Sequence, residues 1–206
     1  KPNFNSADEA PGSTHPDVLR ALLASMSDLG ARSSTLADRS GMGDTRQVMQ
    51  QMGVFDLAKA FGFETVVLDE LPEDAWEIFD GDGYHWKHGF PVPKMLLEAE
   101  RVVQTCNLKT HRYGGHFTLS LKNSVGLVGK HYRSYNYMSE LHATDDQRRM
   151  IAEVNAAYRP ALIVMDGVEA FVKGGPAAGT RAATNVVIAG TDRVAIDAAG
   201  VAILRL

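Results

Sequence analysis

The residues best suited to chemistry lie in one stretch of 24 residues, from Asn107 to Lys130. Glycines and polar residues alternate there with basic side chains, and no acidic residue interrupts them. The basic members are Lys109, His111, Arg112, His116, Lys122 and Lys130. Because positive charge is concentrated in so short a segment, the stretch predicts a binding site for an anion.

Residue types within the stretch indicate separate roles. Lysine supplies a point charge for phosphate or carboxylate, so we expect Lys109, Lys122 and Lys130 to hold the anion. Thr118 and Asn123 would orient it through hydrogen bonds. The alternative for each lysine is an ordinary solvated position on a helix, because apolar residues recur at helical spacing around them.

Histidines add the possibility of proton transfer. Imidazole titrates near neutral pH, so His111 or His116 could move a proton beside a carboxylate or ketone held by a lysine. The alternative is a histidine that only hydrogen-bonds a loop. His111, His116 and His142 are also the candidate metal ligands, although their spacing matches no compact motif such as the i, i+4 pair of a zinc helix.

An acid and two glycines lie further along the chain. Asp166 follows the apolar run 161–165, which predicts a buried strand, and the carboxyl ends of strands form the ligand crevice in open α/β sheets. Asp166 would there orient a catalytic histidine or a metal-bound water. Gly174 and Gly175 could bring a second loop over the same place, but they form no Walker or dinucleotide fingerprint.

The elements that must position these residues alternate between strand and helix patterns along the chain. Short apolar runs close on acids, as at Asp38 and Asp69, and amphipathic helical segments separate them. This rhythm predicts an α/β fold with a mainly parallel sheet and helices on both faces. At 206 residues, we expect a single α/β domain over 1–206.

Composition limits the classes of partner. Apolar residues make up 45% of the chain, the net charge is −4 and the pI is near 6.0, which is typical of a soluble globular protein and argues against general binding to nucleic acid. No apolar run is long enough for a membrane span. We therefore expect a small anionic ligand as the partner; the oligomeric state stays open, and a cytoplasmic location is favoured over an exported form.

The single cysteine and the chain ends narrow the cofactor question. Cys106 alone forms no internal disulfide and supplies too few thiolates for an iron–sulfur cluster held by this segment. The chain opens on Lys1 without an initiator methionine and closes in an apolar helical pattern, so we expect a fragment of a longer chain. The cofactor stays open between a bound metal and an iron–sulfur cluster on a missing segment.

Four motifs carry a resemblance to a known family: Lys1-Pro2-Asn3, residues 107–111, residues 118–126, and Asp166-Gly167 with Gly174-Gly175-Pro176. In these the sequence resembles the family known as domain of unknown function 362, over nearly the whole chain. Many members of that family carry a ferredoxin-like module or a cysteine-rich segment and are described as iron–sulfur proteins, and some carry export signals. The resemblance implies no defined activity for the core domain, and this chain lacks the cysteines.

A shorter likeness concerns residues 114–122 and His142. The run Gly-Gly-His-Phe-Thr-Leu-Ser-Leu-Lys is similar to the stretch by which lactate-racemase-like proteins hold a nickel–pincer nucleotide. The motif consists of common residues, so nucleotide binding of this kind is only an alternative hypothesis.

Two hypotheses from different classes follow. In the first, a crevice rich in lysine and histidine binds an anionic small molecule or cofactor, with proton-transfer or redox chemistry. In the second, the domain is a non-catalytic scaffold of an iron–sulfur electron-transfer protein whose cluster module lies outside this segment.

Overall fold

The computed structural model describes residues 1–113 and 116–205. The helices are α1 (Pro16–Asp28), α2 (Thr45–Gln51), α3 (Val54–Phe61), α4 (Lys94–Glu98), α5 (Ser120–Asn123), α6 (Tyr137–His142), α7 (Gln147–Ala156) and α8 (Arg193–Leu204). The strands are β1 (Thr35–Asp38), β2 (Glu64–Val67), β3 (Trp76–Phe79), β4 (Phe90–Pro93), β5 (Val103–His111), β6 (His116–Phe117), β7 (His131–Tyr132), β8 (Tyr135–Asn136), β9 (Leu162–Gly174) and β10 (Gly179–Gly190). Short 3₁₀ turns cover Leu68–Glu70, Glu73–Ala75 and Ser124–Leu127.

The largest sheet is mixed, so the prediction of a mainly parallel sheet is wrong, although the α/β class is confirmed. Its order is β10-β9-β5-β6; β5 and β9 are parallel, and the other two pairs are antiparallel. The cause is the length of β9, which continues past Asp166 to Gly174 instead of ending at the acid. The chain then reverses through Gly175 directly into β10, and a connection this short can only join antiparallel strands.

The two faces of β5 are covered by different kinds of structure. Cys106 and Leu108 point into an apolar cluster with β9 and α8. Thr105, Asn107 and Lys109 alternate with them on the opposite face. There they contact residues 1–14, which have no helix or strand: the Asn107 amide oxygen accepts a hydrogen bond from Asn3 at 2.8 Å, and the Lys109 ammonium donates to the Gly12 carbonyl at 2.5 Å. On this face of β5 the expected helix is therefore replaced by an extended segment.

Two further apolar clusters support the remaining elements. The parallel β1–β2 pair packs against α1, α2 and α3. The antiparallel β3–β4 hairpin packs against α6 and α7 through an aromatic cluster that includes Trp76, Trp86, Phe90 and Tyr137. Both clusters hold loops that reach the carboxyl ends of β1 and β5, where the candidate site lies.

Among the helices described, none is both long and apolar enough to cross a membrane.

Candidate functional site

A cavity of about 1100 Å³ opens at the carboxyl ends of β1 and β5. Its walls come from residues 1–5, residues 38–42 at the end of β1, residues 109–113 and 116–126, and parts of α6, α7 and α8. Both strands belong to parallel pairs, and the carboxyl ends of parallel strands are where α/β folds build ligand sites. The cavity is therefore the candidate functional site.

Seven of the sequence-predicted site residues line this one cavity: Lys109, His111, His116, Thr118, Lys122, Asn123 and His142. The strand β5 brings Lys109 and His111 to the same face, two residues apart. The β5–β6 hairpin returns the chain so that His116 pairs with His111, and the Thr118 amide donates to the Lys109 carbonyl at 3.0 Å. The hairpin, α5 and α6 thus gather side chains that are up to 33 positions apart, from Lys109 to His142.

Four other predicted site residues lie outside the cavity lining: Lys130, Asp166, Gly174 and Gly175. Asp166 is buried inside β9, pairs in register with Asn107, and accepts a hydrogen bond from the Val168 amide at 3.1 Å. Because the strand does not end there, the acid stays four residues short of His111 along the neighbouring strand.

The glycines and Lys130 have structural explanations. Gly174 and Gly175 both have positive φ, 89° and 75°, as the turn between β9 and β10 requires. A Cβ on Gly175 would lie 2.0 Å from the Thr110 carbonyl oxygen, so glycine permits the close approach of this turn to β5. The Lys130 carbonyl accepts a hydrogen bond from Tyr137 at the base of the small β7–β8 hairpin, away from the cavity.

A buried ion pair forms one wall of the cavity. The Lys1 ammonium lies 2.6 Å from Asp38 Oδ1, and both side chains are at most 3% exposed. Asp38 also accepts hydrogen bonds from the main-chain amides of Phe4 and Arg39, both at 2.8 Å. A Cβ on Gly126 would lie 2.9 Å from the Lys1 nitrogen, so the missing side chain makes room for the pair. The charge of Lys1 is therefore compensated within the protein.

Asn123 serves the same wall. Its amide oxygen accepts from Lys1 at 3.1 Å, and its amide nitrogen donates to the carbonyls of Thr105 at 2.6 Å and Pro2 at 3.3 Å. The side chain is buried, and these three contacts occupy it. Asn123 therefore joins residues 1–2, β5 and α5, and it is better placed to position the wall than to bind a ligand.

Arg39 is a buried cation that sequence reasoning did not assign to the site. Its guanidinium donates to the carbonyls of Val125 at 2.7 Å, Val128 at 2.8 Å and Ser40 at 3.2 Å. Burial lowers the pKa of Arg39, and the nearby carboxylates of Asp69 and Asp38 oppose that shift. The side chain ties residues 125–128 to the end of β1, so it adds positive potential to the cavity while its donors are used elsewhere.

Lys109 is a buried lysine held by main-chain carbonyls. Its ammonium donates to Gly12 at 2.5 Å and to Pro176 at 3.2 Å. Burial, together with the positive charge of Lys122, lowers its pKa to about 7. The charge of Lys109 is therefore sensitive to pH near neutrality, and a bound anion would favour the charged form.

Lys122 is a half-buried cation that lines the cavity. Within residues 1–113 and 116–205 its ammonium has neither a hydrogen bond nor an ion pair. Burial, and then the positive charge of Arg39, lowers its pKa to about 8. The group therefore adds positive charge to the cavity, and none of the described residues pairs with it.

His111 is neutral at physiological pH. Burial, followed by the positive charge of Lys122, lowers its pKa to about 4. Its Nδ1 lies 2.9 Å from the Tyr113 carbonyl oxygen and 3.2 Å from the Tyr113 amide nitrogen. An imidazole without charge can accept a proton or a hydrogen bond from a ligand, but it adds no electrostatic attraction.

The geometry gives little support to a metal site or to the nickel-nucleotide motif. Among the described residues, no three His, Cys, Asp or Glu side chains come together as a metal-binding group, although His111, His116 and His142 share the cavity. Two glycines of the motif, Gly114 and Gly115, lie outside the described residues.

Asp197 is the other acid that lines the cavity among residues 1–113 and 116–205. The Asp197 carboxylate on α8 accepts hydrogen bonds from the amides of Ser120 at 2.8 Å and Leu121 at 3.0 Å, and from the Ser120 hydroxyl at 2.5 Å. Burial raises the pKa of Asp197, and these hydrogen bonds oppose the shift. It anchors the start of α5, and so positions Lys122.

Comparison with known proteins supports the resemblance seen in the motifs. The Thylakoid-associated protein sll1697 of Synechocystis sp. is 24% identical over 209 residues, which cover all of this chain. The chain spans 62% of the length of that relative. The family model described as "Domain of unknown function (DUF362)" matches residues 1–202, and the chain belongs to that family.

Proposed function

We propose that the cavity binds an anionic small molecule and that Lys122 supplies the main electrostatic contact, with Lys109 beside it. The observation that carries the proposal is the uncompensated ammonium of Lys122 in a cavity that also holds Lys109 and Arg39. A charge that is half-buried and has no partner among the described residues costs free energy, and a bound anion would recover part of that cost.

The other polar groups of the cavity divide into supporting and contacting residues. Lys1, Asn123 and Arg39 are used in holding the walls. His111 would meet a bound ligand as a neutral imidazole, able to share or accept a proton. Proton transfer by His111 or His116 is thus a further step that requires anion binding first.

The test compares two lysines of the same stretch. Lys122→Met removes the ammonium in the cavity and keeps a side chain of similar length; Lys130→Met makes the same change outside the cavity lining. Thermal unfolding is followed at pH 7 with inorganic phosphate and with acetate, against sodium chloride at equal ionic strength. A ligand at ten times its Kd stabilises by about 1.4 kcal/mol, or about 3–6 °C in a chain of this size.

We expect phosphate or acetate to raise the melting temperature of the wild type and of Lys130→Met, but not of Lys122→Met. Equal loss in the two variants would refute the assignment to this cavity. The alternative, a scaffold for an iron–sulfur module carried elsewhere, predicts no lysine-dependent anion binding in any of the three proteins.

A further inference from the structure

The cavity is much larger than an anionic group requires. Its volume of about 1100 Å³ exceeds the 300–1,000 Å³ of common small-molecule sites, which hold whole drug-sized ligands. A carboxylate or phosphate bound to Lys122 would leave most of this space to the remainder of the ligand. The nature of that remainder can be read from the walls.

The wall formed by α5, α7 and α8 carries a group of apolar side chains next to its polar ones. Leu121, Ile151, Val201 and Leu204 line it, and all four are half-buried. Val201 and Leu204 are three residues apart on α8, so they share one face of that helix. Their inner sides pack against the cluster between β9 and α8, which fixes the wall and leaves their outer sides to the cavity.

More apolar surface is exposed around the same cavity. Met42 is 48% exposed, Phe117 is 40% exposed and Tyr113 is 58% exposed, and each of them lines the cavity. Large apolar side chains exposed together, with polar groups next to them, are typical of ligand or partner sites.

We infer that the ligand of this cavity is an amphiphile, with an anionic head at Lys122 and an apolar body of several carbons against Leu121, Val201 and Leu204. The inference rests on the proposed anion site and adds the class of ligand. Charge complementarity places the head at Lys122 on α5, whose ammonium has no partner among the described residues, and the apolar side chains begin with the adjacent residue Leu121.

The experiment separates the head from the body. Isothermal titration measures the Kd of straight-chain carboxylates (acetate, butanoate, hexanoate and octanoate) at pH 7, and of the primary alcohols of the same lengths. If the body meets the apolar wall, affinity rises with chain length in both series, by up to about fourfold for each added methylene. The head contributes a preference for carboxylate over alcohol at each length, and Lys122→Met removes that preference.

A pair of variants on α8 tests the wall. Leu204→Ser changes a residue of the lining, while Val194→Ser changes an apolar residue of the same helix that is 65% exposed and outside the cavity. We expect Leu204→Ser to weaken octanoate severalfold and to leave acetate unchanged, and Val194→Ser to change neither. Melting temperatures of both variants show whether the fold is retained, and the alcohol series on the wild type stands independently of them.

The outcomes are distinguishable. Affinity that depends on Lys122 but not on chain length overturns the amphiphile and keeps the anion site. Affinity that rises with chain length, equally for alcohols and carboxylates and without effect of Lys122→Met, keeps the apolar body and overturns the anionic head. Binding of neither series overturns both.

Discussion

Replacing Lys122 by methionine should make the unliganded protein more stable. The pKa of Lys122 falls from 10.5 to about 8 in the folded state, and each pKa unit corresponds to about 1.4 kcal/mol. The folded state therefore bears a cost of at most about 3.5 kcal/mol for keeping the ammonium charged. Because the cavity is open to water, we expect a gain of about 1–3 kcal/mol at pH 7.

The pH dependence of the free energy of unfolding shows whether the charge of Lys122 causes this gain. The unfolded chain holds the Lys122 proton up to about pH 10.5, whereas the folded protein releases it near pH 8, so the unfolded state binds more protons in this window. Wild-type stability therefore gains from Lys122 as the pH rises from about 8 to 10.5, and the advantage of Lys122→Met is full below pH 8 and shrinks above it.

Urea unfolding of the wild type, Lys122→Met and Lys130→Met, measured at several pH values between 6.5 and 10, checks this prediction. A midpoint shift without a change in slope reports stability alone. Lys130→Met, which changes a half-buried lysine outside the cavity lining, should alter the free energy of unfolding by less than about 1 kcal/mol. A Lys122→Met variant that is less stable, or whose advantage does not change with pH, would refute the view that this ammonium is uncompensated.

Three further predictions concern anion affinity, the buried Lys1–Asp38 ion pair and Cys106. Anion affinity should fall as the pH rises above about 8 as Lys122 loses its proton, and the fall should begin near pH 7 if Lys109 contributes; titration calorimetry across pH 6–10 measures this. Asp38→Asn should cost about 3–5 kcal/mol in urea unfolding because it leaves buried cations unpaired, whereas Asp17→Asn at an exposed pair should cost less than about 1 kcal/mol. Cys106, whose thiol is buried with a raised pKa, should react with a thiol reagent only as fast as the protein unfolds, and a fast native reaction would contradict its burial.

The local sequence was enough to predict that the lysines and histidines lie close together. It was not enough to predict the residues that hold the walls around them. Lys109, His111 and Lys122 are brought together by one hairpin and a short helix, so proximity in sequence carried the signal. Lys1 and Arg39 reach the cavity through contacts with residues that lie about ninety to one hundred and twenty positions away in the sequence. The residues next to them in sequence do not indicate those contacts. The available hint was Asp38, at the carboxyl end of a predicted strand.

The error in the sheet has one local origin. An acid after an apolar run usually marks the end of a buried strand. In β9, however, Asp166 lies inside the strand, where its carboxylate accepts a hydrogen bond from the Val168 amide. A register irregularity between Ala183 and Val186 on the partner strand lies beside it. The glycine pair at 174–175, read as a ligand loop, is typical of a tight reversal between long strands, and that interpretation would have predicted the antiparallel pair.

The extended segment at the start of the chain has a consequence for how the protein reaches its folded state. Asn3 meets Asn107 across 104 positions, and Gly12 meets Lys109 across 97. During synthesis Asn3 and Gly12 stay unpaired until the strand that receives them has emerged from the ribosome, and closing so long a loop slows folding. The cavity is therefore among the last features to form, and until then its lysines stay hydrated and keep their ordinary basicity.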